Sequence, residues 1–335
     1  MTRAPRRVAA IDPRSRVVPG QWPAGFLAAI LTPVLIAVLI WGVEPVRGAQ
    51  QVPVFRTAVD LINTGVTVVD KRGQLITGLR AEDFEVFEDG RRQRVSYFTA
   101  GDDRDPTRPE MHLGLLLDVS ESMGDDIRFT RTAAIRFLNT LTDAVDVTVV
   151  DFDTEVRAAR YGQREFARLI ERIRQQKTTG LTALYDAIGI YLDGASSQTG
   201  RKIMLLYTDG GDTRSSLRMN ELVDLLKASD VTVYVIGALD HQSSSGRDRA
   251  RLTLQLIAET TGGQAFFPSS VKELDAMYAK VLAEIRAQYT LGYLSSNEKS
   301  DGAWRKIEIK LGAKEHRDAR IRSRKGYFAP YTARP

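Results

Sequence analysis

The chain reads as an α/β protein built on a doubly wound, mostly parallel sheet, with flanking β-strands from both ends forming a small β-sandwich-like domain. Three observations predict this. From Met111 onward, near-continuous apolar runs (HLGLLLDV, DVTVVDF, KIMLLYTD, DVTVYVIGA) alternate with amphipathic stretches. A strand covered by helices on both sides has no solvated face, so its sequence loses the polar alternation, and regular strand–helix alternation implies right-handed βαβ crossovers. On either side of this region the pattern instead has period two, as half-buried antiparallel strands require. With 335 residues, 43% of them hydrophobic, the chain has ample material for one large or two modest domains.

Taken in order, residues 1–48 form a leader. Six arginines (Arg3, Arg6, Arg7, Arg14, Arg16, Arg47) against Asp12 and Glu44 give it +4 of the chain's net +5, and the remainder is nearly neutral. From Ala24 to Val43 the sequence AGFLAAILTPVLIAVLIWGV carries no charge. Preceding arginines stay cytoplasmic under the positive-inside rule, so the run reads as a signal peptide or a retained single-pass anchor, and the chain beyond it is expected outside the cytoplasm. Its length favours an anchor. Pro33 and the small or apolar residues of Val46-Arg47-Gly48 favour cleavage.

Residues 54–105 are strand-like, in VTVVD, FEVFE and RVSYF, with Asp89-Gly90 as a hairpin turn because both residues tolerate positive φ. This segment cannot bury a core by itself. Residues 111–289 form the α/β domain, with helices expected over 128–141, 164–173, 183–192, 219–228, 249–260 and 272–289. Residues 290–330 return to β, in YTLGYL, WRKIEIKL and ARIRSRKGYF, with Ile307, Ile309 and Leu311 on one face. Their economical partners are the orphan strands of 54–105. The charges of Arg317, Arg320, Arg322, Arg324 and Lys325 read as the solvated face of an edge strand.

Composition excludes several chemistries. With no cysteine there is no disulfide, thiolate metal site or thiol nucleophile. His112, His241 and His316 are far apart and none sits beside a serine nucleophile motif, which leaves hydrolytic triads unsupported. Neither G-x-x-x-x-G-K-[ST] nor G-x-G-x-x-G occurs, so nucleotide binding has no sequence support. The basic pI reports the leader and gives no case for nucleic acid.

There remains a set of oxygen donors: Asp118, Ser120 and Ser122 in LLLDVSESMG, Thr182 in TTGLTALYDA, and Asp209 in LLYTDGGD. Each lies at a strand end or a helix start, where an open α/β sheet gathers its ligand site. The turn after a strand lets alternate side chains of D-x-S-x-S converge. Two carboxylates and three hydroxyls, without nitrogen or sulfur, suit Mg²⁺, with Mn²⁺ or Ca²⁺ as alternatives. The run could also be a strand end followed by a helix N-cap. Thr182 and Asp209, in matching elements and order, favour metal. Glu121, Asp125 and Asp126 read as first-turn acids, Asp186 as a surface or capping carboxylate, and Asp151 and Asp212 as neighbours that tune the site.

The set D-V-S-E-S, G-L-T-A-L and T-D-G, spread over 111–287, resembles the metal-ion-dependent adhesion site of von Willebrand factor type A domains, with all five ligand positions filled. The flanks EDFEVFEDGRRQRVSYF and YTLGYL…WRKIEIKL…RKGYF are similar to those of a bacterial subgroup of exported proteins carrying this domain. The resemblance implies Mg²⁺ held by Ser120, Ser122 and Thr182, with Asp118 and Asp209 bonding mainly to coordinated waters or hydroxyls. It also implies a protein partner whose acidic side chain completes the coordination, and no enzymatic activity. Two alternatives stand beside it. One is a Mg²⁺-dependent phosphohydrolase using Asp118 as nucleophile, opposed by Ser120 at the place of its general acid. The other is a structural envelope protein with a vestigial metal site. Partner identity and oligomeric state are not written in the sequence.

Overall fold

Four short strands open the part of the chain that the computed structural model describes: β1 (Leu61–Val69), β2 (Phe84–Glu88), β3 (Arg91–Gln93) and β4 (Val95–Thr99). The described residues are 61–101, 108–141, 143–240, 242–312 and 318–332. The segment from Ala24 to Val43, His241, His316 and Arg317 lie outside them. No helix among the described residues is long and apolar enough to cross a membrane.

The α/β part comes next in chain order: β5 (Met111–Asp118), α1 (Ile127–Thr140), β6 (Ala144–Phe152), β7 (Val156–Gly162), α2 (Phe166–Gln175), α3 (Leu184–Ser196), β8 (Arg201–Thr208), α4 (Met219–Ala228), β9 (Thr232–Gly237), α5 (Ser244–Thr260), β10 (Gln264–Phe266) and α6 (Val271–Ala287). The six strands stand in the order β10-β9-β8-β5-β6-β7, all parallel except β7. All eight residues of β5 are buried. Because side chains alternate across a strand, Leu113, Leu115 and Leu117 join Phe137, Leu169 and Leu274 of α1, α2 and α6 on one face. Leu116 joins Ile188, Leu222 and Leu254 of α3, α4 and α5 on the other. Each such leucine removed from water contributes about 1.5–3 kcal/mol, which explains why β5 reads as a single apolar run.

Two strands escape the sequence pattern. β7, VRAARYG, is an antiparallel edge carrying Arg157 and Arg160, so it lacks an apolar run to announce it. β10 is only three residues long. The sixth helix stops at Ala287, short of the expected end, because Tyr289 opens the next strand.

Four strands close the chain: β11 (Tyr289–Leu294), β12 (Trp304–Leu311), β13 (Arg320–Arg322) and β14 (Gly326–Phe328). They interleave with the first four in two sheets, β13-β1-β11-β4 and β14-β12-β2-β3. The β2–β3 hairpin turns at Asp89 (φ 48°) and Gly90 (φ 80°), the two positive values its tight turn demands. Ile62, Val66, Phe84, Val86, Tyr289, Leu291, Ile307 and Ile309 fill one shared core. The Phe84 ring lies 5.2 Å from that of Tyr289. Buried Glu88 on β2 accepts from Tyr293 of β11 (2.9 Å), Tyr327 of β14 (2.9 Å) and Ser295 (2.5 Å), tying the two sheets together. The basic stretch near the end of the chain is only partly a solvated edge. Arg320 is exposed, but Arg322 is half-buried, with its guanidinium 2.7 Å from Glu284 on α6.

Candidate metal centre

β5 delivers Asp118 to the C-terminal edge of the parallel sheet, next to the end of β8, where the chain connections diverge to opposite faces. A short 3₁₀ turn, Glu121–Met123, succeeds it. Its buried Met123 pins the loop to the core, while Ser122 is exposed on the surface. Asp118 is 0% exposed. One carboxylate oxygen accepts from the Ser120 main-chain N–H at 3.0 Å and the Ser120 hydroxyl at 2.5 Å; the other accepts from the Thr208 hydroxyl at 2.6 Å. The Ser120 and Ser122 hydroxyls are 3.2 Å apart. Asp118, Ser120 and Ser122 therefore form one continuous hydrogen-bonded chain from the interior to the surface.

The other two predicted residues arrive on loops beyond this turn. Thr179 N–H donates to Val119 O at 2.9 Å, and Glu121 N–H to Gly180 O at 3.2 Å, which stitches the Thr182 loop along the D-x-S-x-S turn. Gly180 makes this approach possible. Its φ is +71°, and a Cβ there would stand 2.3 Å from the Thr154 hydroxyl. On its far side Thr182 donates its N–H to the Thr213 hydroxyl at 3.0 Å, and its main-chain oxygen accepts from the N–H groups of Thr213 and Arg214 at 2.9 and 3.0 Å. The Thr182 hydroxyl makes no hydrogen bond among the described residues.

Asp209 is half-buried, one residue beyond β8, with its carboxylate accepting from Gly211 N–H at 2.9 Å and its main-chain oxygen held by Gln242 at 2.6 Å. Among the described residues it makes no hydrogen bond to the other four predicted ones. It is close enough for its charge to act on Asp118.

Burial pushes the Asp118 carboxyl up to about 7. The Ser120 and Thr208 hydrogen bonds pull it down, and the Asp209 charge adds to the rise. Among the described residues no cationic side chain bonds to Asp118; every group that does is a neutral donor. A buried carboxylate without a counter-charge is costly. All atoms of the donor set are oxygens, which is the chemistry a hard cation takes, while among the described residues no three His, Cys, Asp or Glu side chains converge.

Sequence reasoning gave Thr208, the first residue of T-D-G, no role of its own and passed over Thr213. Thr208 ends an apolar strand and looks like ordinary strand composition, although a polar residue directly before Asp209 was a usable signal. Thr213 acts through its hydroxyl on a main chain 31 residues away, which no local pattern encodes. Asp186 accepts from Ser216 and Leu217 N–H groups at 2.9 Å each and so caps a loop. Asp212 accepts from Tyr185 N–H and Ser215, and Asp151 is taken up by Arg157 and Arg172; neither bonds to the five predicted residues. His112 is a packed histidine, its ring nitrogens 3.0 Å from Asp146 and 2.8 Å from Thr199 O.

A family model for the von Willebrand factor type A domain matches residues 112–280, half of the chain. The chain belongs to that family. The matched von Willebrand factor type A region begins one residue into β5 and ends within α6, so it contains all five predicted residues. Solved structures similar to it include the PilB minor pilin from Streptococcus sanguinis (14% identity, 55% of this chain and 63% of that one, TM-score 0.43). Two others are an aerotolerance-related membrane protein from Bacteroides fragilis (13%, 52% and 98%, TM-score 0.44) and a von Willebrand factor type A protein from Catenulispora acidiphila (13%, 83% and 76%, TM-score 0.42). The chain thus spans under two thirds of the pilin's length. Among curated proteins, none matches the chain.

Proposed function

We propose that this protein is an exported, non-enzymatic binding module that engages an acidic group of a partner protein through a divalent cation held by Asp118, Ser120, Ser122, Thr182 and Asp209. The observation that carries the reading is Asp118: a fully buried carboxylate bonded only to neutral donors, at the inner end of a hydroxyl chain that reaches the surface. Such an anion calls for a counter-ion. Asp118 fixes the Ser120 hydroxyl in place, Ser122 stands at the surface, and Thr182 contributes a hydroxyl with no competing partner among the described residues. When bound, Mg²⁺ supplies an electrophilic position that retains exchangeable water, where a carboxylate from outside can enter. Beside it Leu181, 51% exposed, offers an apolar contact. Export is supported by the arginine-led apolar run from Ala24 to Val43.

The test is metal-linked stabilisation of the full chain. A ligand that binds only the folded state raises its stability by RT ln(1 + [L]/Kd), about 2.7 kcal/mol at a hundredfold excess over Kd. Calorimetry and thermal unfolding with Mg²⁺, Mn²⁺ and EDTA should show this rise in the native protein and its loss in Asp118→Ala and Ser120→Ala. A native protein indifferent to all three additions overturns the proposal.

A further inference from the structure

On the face made by α1 and α2, apart from the five residues above, four arginines surround one surface cavity of about 370 Å³. Arg128, Arg131, Thr132, Ile135 and Arg136 lie along one stripe of α1 at helical spacing, and Arg174, in the last turn of α2, completes the wall. Two of the four charges are answered locally. The Arg136 Nη1 lies 2.7 and 2.9 Å from the two oxygens of Asp275 on α6, and Arg174 has Glu171 at 3.9 Å.

Arg128 and Arg131 form no ion pair among the described residues. Arg131 spends Nη1 on the Arg174 main-chain oxygen at 3.1 Å, and its buried Nε has no hydrogen-bond partner among the described residues. Guanidinium groups crowded around one space repel one another, and a buried charged donor left unsatisfied costs more than a neutral one. An oxyanion in the cavity offsets the repulsion.

We propose that this cavity is an anion site for a phosphate group, either the free ion or a monoester carried on a larger molecule. Two unpaired guanidinium groups and a third, weakly paired one exceed what a single carboxylate can balance. A phosphate brings a charge of about −1.5 to −2 and three acceptor oxygens, and arginine forks match it bidentately. The cavity is open to solvent, so the rest of an esterified molecule has a way out.

The experiment is titration of the full chain, in metal-free buffer, with inorganic phosphate and with glycerol phosphate, ionic strength being held constant with sodium chloride and heats followed by calorimetry. Saturable one-to-one binding is expected for at least one of them. Arg128→Gln should weaken it at least tenfold and Arg128→Gln/Arg131→Gln further. Arg131→Lys should also weaken it, because the charge survives but the fork does not. Arg128 is exposed, so its substitution alone leaves the fold intact, which an unchanged thermal midpoint in chloride verifies. Glycerol phosphate binding as tightly as inorganic phosphate supports a carried monoester; inorganic phosphate binding alone supports the free ion. Absence of saturable binding for both, or native affinity in the Arg128→Gln variants, overturns the assignment.

Discussion

At Asp118 a strand buried at all eight positions ends on an ionisable group. Replacing it by asparagine keeps the shape and an acceptor for Ser120 but removes the charge. In EDTA, Asp118→Asn should therefore be more stable than the native protein by about 1–3 kcal/mol, the scale of an uncompensated buried polar group. In Mg²⁺ the order should reverse as the variant loses its metal-linked shift. Urea midpoints in the two buffers check this, and an asparagine variant less stable than native in EDTA would mean that the carboxylate is already compensated. Thr213 tests positioning at the same scale. Thr213→Val removes the hydroxyl that accepts from Thr182 N–H. Mg²⁺ affinity should fall about tenfold, or about 1.4 kcal/mol, while Thr213→Ser retains it.

At the scale of elements, the D-x-S-x-S turn and the Thr182 loop hold together through main-chain bonds that need close backbone approach. Gly180→Ala places a left-handed φ and a Cβ–hydroxyl clash on one residue. Strain of this kind costs about 1–3 kcal/mol. The variant should lose that much stability in urea and also bind Mg²⁺ more weakly, because Gly180 O is what the D-x-S-x-S turn grips through Glu121 N–H. An alanine variant with native Mg²⁺ affinity would show that this stitch does not shape the centre. The same loops mark the limit of what the sequence disclosed. β5, β6, β8 and β9 were legible because burial on both faces writes itself as an apolar run, and α4 has the bounds its amphipathic pattern gives. The meeting of Asp118, Ser120 and Ser122 in the D-x-S-x-S turn was legible from local spacing. Everything set by contact across long separations was not: the antiparallel edge β7 with its arginine-rich face, the Thr213 grip on Thr182, and the inward pairing of Arg322 with Glu284.

Across the whole molecule, the α/β layer and the sandwich are joined more tightly than their patterns suggest. Only Gln288 separates α6 from β11, and β11 is the strand that both β1 and β4 pair with. At that junction Arg201 of β8 donates to Ile285 O at 2.6 Å and to the Gln288 side chain at 3.3 Å, so the parallel sheet grips the segment from which the sandwich grows. One residue further on, Tyr289 sits in the sandwich core and its hydroxyl donates to Ile76 O at 2.9 Å while accepting from Leu79 N–H at 3.2 Å. A helix anchored in one layer and a strand central to the other cannot come apart independently. Calorimetry of the full chain should therefore record one transition for residues 61–332, with calorimetric and van't Hoff enthalpies in agreement. Tyr289→Ala should lower that transition as a whole, by about 3–5 kcal/mol for an aromatic side chain lost from a packed core. Tyr289→Phe, which keeps the ring but not the hydroxyl, should cost about 1 kcal/mol. If Tyr289→Ala instead split the trace, leaving a Mg²⁺-responsive transition at its native position, the two layers would be separate folding units that merely share a boundary.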